Sequence, residues 1–144
     1  MERLKGRALV AGAAQAEALA TDTPLSWWGG LNPHTGEVID RRHPLSGQII
    51  SGKVLVFPFA RGSSSTSSTM LETLRAGTAP AAIVNCELDP IVALGVVVAD
   101  ELWGKSIPVV LLPAADLARI RSGDVVTIEP DGTVVVEPTG GSPA

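Results

Sequence analysis

The densest run of chemistry-bearing side chains is Phe59-Ala-Arg-Gly-Ser-Ser-Ser-Thr-Ser-Ser68. It follows an apolar β-branched stretch, Val54-Leu-Val-Phe57, and precedes a helical pattern through Met70, Leu71 and Leu74. A strand-to-helix turn of this kind is where α/β sheets bind ligands. Gly62 lets the backbone approach a ligand closely, the free N–H groups of a helix start attract an anion, and Arg61 can clamp a carboxylate or phosphate with two prongs. Ser63 and Ser64 add hydroxyls at the same turn. The plainer reading of the same residues is a serine-rich cap that does no more than start a helix.

A serine hydroxyl is weakly reactive unless something activates it. A helix dipole supplies only about 0.3–1 kcal/mol. No histidine follows Ser63, and both His34 and His43 lie upstream, so a hydrolase triad has little support. His34, Asp40 and His43 do not have the spacing of a metal site; His34 suits ordinary loop hydrogen bonding, whereas His43, with Asp40 nearby, is a candidate to face a substrate. The single cysteine, Cys86, cannot hold an iron–sulfur cluster alone and is expected to be a buried structural residue. Trp27 and Trp28 suit either a core or an interface.

The elements that position these groups follow from the hydrophobic pattern. Short strands are expected at Ala8 to Val10, Ala16 to Ala20 and Leu25 to Trp28, followed by a polar, turn-rich section from Gly29 to Gly52 that is long enough to be functional. From Lys53 strands and helices alternate. Strands are expected at Val54 to Phe57, Ala82 to Val84 and Ile107 to Leu112. One helix starts within Ser63 to Ser68 and stops at Gly77, a second starts at Asp89-Pro90 and runs to Leu102 or Trp103 before Gly104, and a short third spans Ala114 to Ile120. Val125 to Ile128 and Val134 to Val136 read as a hairpin through Pro-Asp-Gly. The fold class is therefore α/β, a mixed sheet core with a β-rich second layer.

The 144 residues, 45% of them hydrophobic, suit one compact domain over 1–138, with a frayed tail at 139–144. A net charge of −4 with interspersed acids and bases offers no basic track for nucleic acid. The longest apolar stretches, such as Ile91 to Ala99, fall short of the about 18 residues of a membrane span. With no signal-peptide core near the start and one cysteine, the expected location is the reducing cytoplasm.

Taken in order, Gly29-Gly-Leu-Asn-Pro-His-Thr-Gly-Glu-Val-Ile-Asp-Arg-Arg-His-Pro-Leu-Ser-Gly47, Gly52-Lys-Val-Leu-Val56, Arg61-Gly-Ser-Ser64 and Pro80-Ala-Ala-Ile83 resemble the aconitase X swivel domain, from about Gly6 to Leu112. The resemblance implies the swivelling β/β/α domain of aconitase-like enzymes, either fused to a large catalytic domain or made as a separate small subunit, the form expected here. It also implies a hydro-lyase whose large subunit holds the iron–sulfur cluster, with none bound by this chain alone. The Gly62-Ser63-Ser64 run is similar to the aconitase Gly-Ser-Ser, whose first serine takes the substrate proton, which makes Ser63 the expected catalytic base. Arg61, Gly62, Ser64 and His43 are the expected substrate-binding residues. Aconitases follow this motif with a substrate-binding arginine; Ser65 stands there instead, and Arg61 is the candidate replacement.

Two substrates are associated with the family, cis-3-hydroxy-L-proline in bacteria and mevalonate 5-phosphate in archaea. The serine-rich segment and Ala99-Asp-Glu-Leu-Trp-Gly104 resemble the bacterial branch. The ending Arg121 to Val136 also resembles swivelling phosphohistidine carrier domains, but those need a histidine at the start of the first helix, where none is present. A non-catalytic binding module on the same fold is the remaining alternative.

Overall fold

The computed structural model describes residues 2–26, 30–61, 65–87 and 90–138. Twelve strands and three helices follow in the order β1 (Glu2–Lys5), β2 (Arg7–Val10), β3 (Ala14–Ala20), β4 (Leu25–Ser26), β5 (Leu31–Asn32), β6 (Glu37–Val38), β7 (Val54–Val56), β8 (Ala60–Arg61), α1 (Ser65–Ala76), β9 (Ala82–Asn85), α2 (Pro90–Trp103), β10 (Val109–Leu111), α3 (Ala114–Leu117), β11 (Val125–Ile128) and β12 (Thr133–Glu137).

Eight strands form one mixed sheet in the order β1-β12-β11-β3-β7-β9-β10-β2. β3 belongs to both halves: Ala14 to Glu17 pair antiparallel with β11, and Ala18 to Ala20 pair parallel with β7. β7, β9 and β10 continue the parallel half, and β2 closes its edge antiparallel to β10.

The parallel strands are buried on both faces, as βαβ connections require. Leu55, Ile83 and Val109 turn to one face and pack with Met70 and Leu74 of α1 and Val92 and Val96 of α2. Val54, Val56, Ala82, Val84 and Val110 turn to the other, where they meet Leu4, Val126, Ile128, Val134 and Val136 of the antiparallel half. The layers are thus β, β and α, as expected from the sequence. Gly6, between β1 and β2, is where the two ends of the sheet come together. A Cβ there would lie 2.6 Å from both the Gly132 carbonyl oxygen and Val110 Cγ1.

α1 ends as its sequence dictates. Gly77 takes φ 78°, and the Gly77 and Thr78 amides donate back to the carbonyls of Leu74 and Thr73 at 3.4 and 2.9 Å, a Schellman stop. Three expectations differ in extent. The strand expected over Ile107 to Leu112 is limited to three residues, the short helix closes after one turn at Leu117, and β1 is an additional strand. β1 buries only Leu4 among charged neighbours, too little to register as a pattern.

The section expected as an irregular polar loop is a small lobe that extends the helix-side core. β5 and β6 form a hairpin, Glu37 bridges to Ile49, and Leu31, Val38, Leu45 and Ile50 join the helix-side core. Among the described residues no helix is long and apolar enough to cross a membrane.

Candidate functional site

Gly62, Ser63 and Ser64 lie outside the described residues, as do Trp27, Trp28, Asp89 and the 139–144 tail. What the structure defines is the frame around the serine motif: β8 ends at Arg61 on one side and α1 begins at Ser65 on the other.

The approach to that motif is clamped. Phe57 leaves β7 with its N–H donating to the Val84 carbonyl at 3.1 Å, and its own carbonyl accepts from Asn85 Nδ2 at 2.8 Å. The next carbonyl, of Pro58, accepts from the Cys86 and Glu87 amides at 3.1 and 3.2 Å, and that of Phe59 from the Leu25 amide at 3.3 Å. β8 then pairs in parallel with β4, Leu25 opposite Ala60 and Ser26 opposite Arg61. Three successive carbonyls held by other parts of the fold fix the path of the chain as it reaches Gly62.

His43 was expected to touch substrate, and the structure commits its ring elsewhere. It is 7% exposed. Nδ1 accepts the Leu45 amide at 3.0 Å, so the proton sits on Nε2, which donates to the Pro24 carbonyl at 3.2 Å. Neither nitrogen is left for a ligand. Pro24 immediately precedes β4, so His43 ties the 30–50 lobe to the strand on which β8 rests. Asp40 is likewise occupied, its Oδ1 accepting the Arg42 amide at 3.0 Å. The His34 backbone amide donates to Asn32 Oδ1 at 2.9 Å, an Asx turn at the tip of the β5–β6 hairpin.

Beside this frame a cavity of about 530 Å³ opens at the carboxyl ends of β3, β7 and β9. Its apolar wall includes Val56, Pro58, Leu117 and Ile120, and its polar groups are Thr21, Asp22, Cys86, Arg121 and Ser122. The Ser122 hydroxyl is already used, accepting the Ala20 amide at 2.8 Å and donating to the Ala20 carbonyl at 3.2 Å. Cys86 is half-buried, and its thiol points to the Pro58 carbonyl at 3.6 Å. Burial, reinforced by the negative charge of Glu87, pushes that thiol above its ordinary range, which keeps it protonated and unreactive near neutrality. Asn85, Asp22 and Arg121 were not singled out in the sequence. For Asn85 and Asp22 the signal was position alone, at or just beyond strand ends that short apolar runs locate only to within a residue or two, and Arg121 lies in the turn between α3 and β11, which carries no pattern.

The chain has one thiol, and the described residues contain no group of three or more His, Cys, Asp or Glu side chains able to hold a metal. An iron–sulfur cluster needs several ligands, so the residues of this chain do not by themselves fit one.

A mixed sheet with an antiparallel layer over one face, two helices over the other, and a serine-rich strand-to-helix turn at the carboxyl edge defines the swivelling domain of aconitase-like proteins. The model of the aconitase X swivel domain matches residues 3–136, and the chain belongs to that family. Over 106 residues it is 52% identical to a cis-3-hydroxy-L-proline dehydratase of Pseudomonas aeruginosa, covering 74% of this chain and 18% of that protein. A protein of the same description from Hypocrea jecorina is 42% identical over 130 residues, 90% of this chain and 22% of the relative. The chain thus spans about a fifth of the length of these two relatives. The phosphomevalonate dehydratase small subunit of Methanosarcina acetivorans is 39% identical over 127 residues, 88% of this chain and 84% of that subunit. The crystal structure of Thermococcus kodakaraensis aconitase X in its holo-form superposes with a TM-score of 0.86 at 34% identity, covering 96% of this chain and all of that one. The chain carries the aconitase X swivel domain, and relatives with both substrate names stand beside it.

Proposed function

We propose that this chain donates Ser63 as the base of a two-subunit dehydratase acting on cis-3-hydroxy-L-proline. The observation that carries the substrate is the 52% identity to the Pseudomonas aeruginosa dehydratase, against 39% to the Methanosarcina acetivorans phosphomevalonate dehydratase small subunit. The elimination needs a base for the proton on the carbon beside the carboxylate and help for the hydroxyl leaving the adjacent carbon. Ser63, held at the end of the clamped 57–61 segment, is the base. Arg61, Gly62 and Ser64 are assigned to the substrate carboxylate by the motif they share with Ser63, and His43 acts on the site through Pro24 and β4 rather than by contact. An iron–sulfur cluster held by the larger subunit would supply the Lewis acid for the departing hydroxyl.

A second reading, mevalonate 5-phosphate, is favoured by one observation: the chain aligns with 84% of the Methanosarcina acetivorans small subunit. Side-by-side assays of the two substrates on the assembled complex separate them, and turnover of the phosphorylated acid alone would overturn the hydroxyproline assignment. The role of Ser63 is tested by Ser63→Ala. Loss of a cap costs at most about 0.5–2 kcal/mol of stability, whereas loss of a base costs about 10²–10⁴-fold in rate. The expected result is a complex that assembles and melts within a few degrees of wild type but does not turn over. Near-normal turnover, or loss of turnover in Ser64→Ala alone, would refute it.

A further inference from the structure

We propose that the cavity at the carboxyl ends of β3, β7 and β9 takes the zwitterion of a small imino or amino acid, with Arg121 holding its carboxylate and Asp22 its ammonium group. Both residues line the same cavity and both are exposed, yet they form no ion pair with each other. Among the described residues the Arg121 guanidinium has no partner at all. The Asp22 carboxylate accepts only a 3.3 Å bond, at Oδ1 from the neighbouring Thr23 hydroxyl. The other polar groups are largely committed. Ser122 is spent on Ala20, Cys86 on Pro58, and the Thr21 hydroxyl oxygen accepts the Thr23 amide at 3.1 Å. The groups with binding capacity left are thus one cation and one anion, set against an apolar wall of Val56, Leu117 and Ile120. Pockets of this kind fix a ligand by a few polar groups and bury the rest of it against apolar surface.

Charge decides the ligand class. A zwitterion offers a carboxylate for a two-pronged contact with Arg121 and a cationic nitrogen for Asp22, while its carbon skeleton meets the aliphatic side chains. A phosphorylated acid carries two anionic groups and no cation, so one of them would face Asp22 unpaired, and like charges close together are unfavourable. The cavity therefore discriminates between the two substrate classes named for the relatives, and this inference rests on the hydroxyproline reading for its connection to catalysis. Ser63 lies five positions beyond Pro58 on the cavity wall, at most about 18 Å of extended chain.

The test is an amide-resolved NMR titration of the full chain with L-proline, with inorganic phosphate as the control. Saturable shifts at Thr21, Asp22, Cys86 and Ser122 are expected. Arg121→Gln and Asp22→Asn should each weaken binding at least about tenfold, the scale of a lost charge-assisted contact, and phosphate should not compete. Absent or scattered shifts, or unchanged binding in both variants, would overturn the proposal. The assembled complex separates this from the catalytic reading. If it dehydrates cis-3-hydroxy-L-proline with a KM untouched by both variants, the cavity assignment fails and the dehydratase reading survives. If it ignores hydroxyproline while L-proline still fills the cavity, the site survives and the substrate reading fails.

Discussion

At the scale of single residues, the carbonyls of Phe57, Pro58 and Phe59 matter because each finds its donor outside its own strand, and the donors come from β9, the turn after it and β4. Asn85 is the one side chain among those donors. It is 1% exposed, and its removal would leave the Phe57 carbonyl without this bond in a buried setting, a loss of about 1–3 kcal/mol. Asn85→Ala is therefore expected to lower the melting temperature by several degrees. If Ser63 is the base proposed above, it should also lower kcat of the assembled enzyme with KM nearly unchanged, because the clamp fixes the segment that leads to Gly62 rather than a group that holds substrate. Equal stability loss with wild-type kcat would show that the clamp is structural alone. His43 illustrates what a sequence does and does not convey. Its proximity to Asp40 marked it as chemically interesting, but the partner that commits its Nε2, the Pro24 carbonyl, is 19 residues away and comes near only once the 30–50 lobe has folded against β4.

At the scale of elements, the strand-helix alternation from Lys53 onward was legible because every signal agreed. Val54 to Phe57 and Ala82 to Val84 are β-branched apolar runs, and Gly77 and Gly104 stop their helices with φ 78° and 67°. The 30–50 lobe was not legible, because its strands are two residues long and its core residues, Leu31, Val38, Leu45 and Ile50, follow no period. Nor was the closure of the sheet at Gly6, which depends on a hairpin turn more than 120 residues away in sequence. Gly6→Ala tests that closure. The added methyl would meet a backbone carbonyl, which cannot move without shifting the β11–β12 turn, as well as the Val110 side chain. Overpacking of this kind costs about 1–3 kcal/mol. The expected outcome is a lower denaturation midpoint, read by chemical unfolding, with α1 and α2 intact by circular dichroism. A midpoint equal to wild type would mean that the two halves of the sheet can part at this point without cost.

At the scale of the whole molecule, the described chain offers a cavity lined by one cationic and one anionic residue, two packed cores that carry the strands and helices flanking residues 62–64, and a single thiol. Cluster binding requires several ligands that a chain with one cysteine does not offer, and the acid for the departing hydroxyl would come with the cluster-bearing partner of the proposed complex. The purified chain is therefore expected to take up no stoichiometric iron on reconstitution with iron and sulfide, and to show no dehydratase activity. Adding the larger subunit should restore both together, with iron co-eluting with the two chains in size-exclusion chromatography and activity rising to a plateau at a fixed subunit ratio. Metal analysis and a turnover assay on the same fractions make the check. Activity that saturates without this chain would show that the serine is dispensable to the reaction, and iron bound by this chain alone would show that its ligands are not the ones the single cysteine leads one to count.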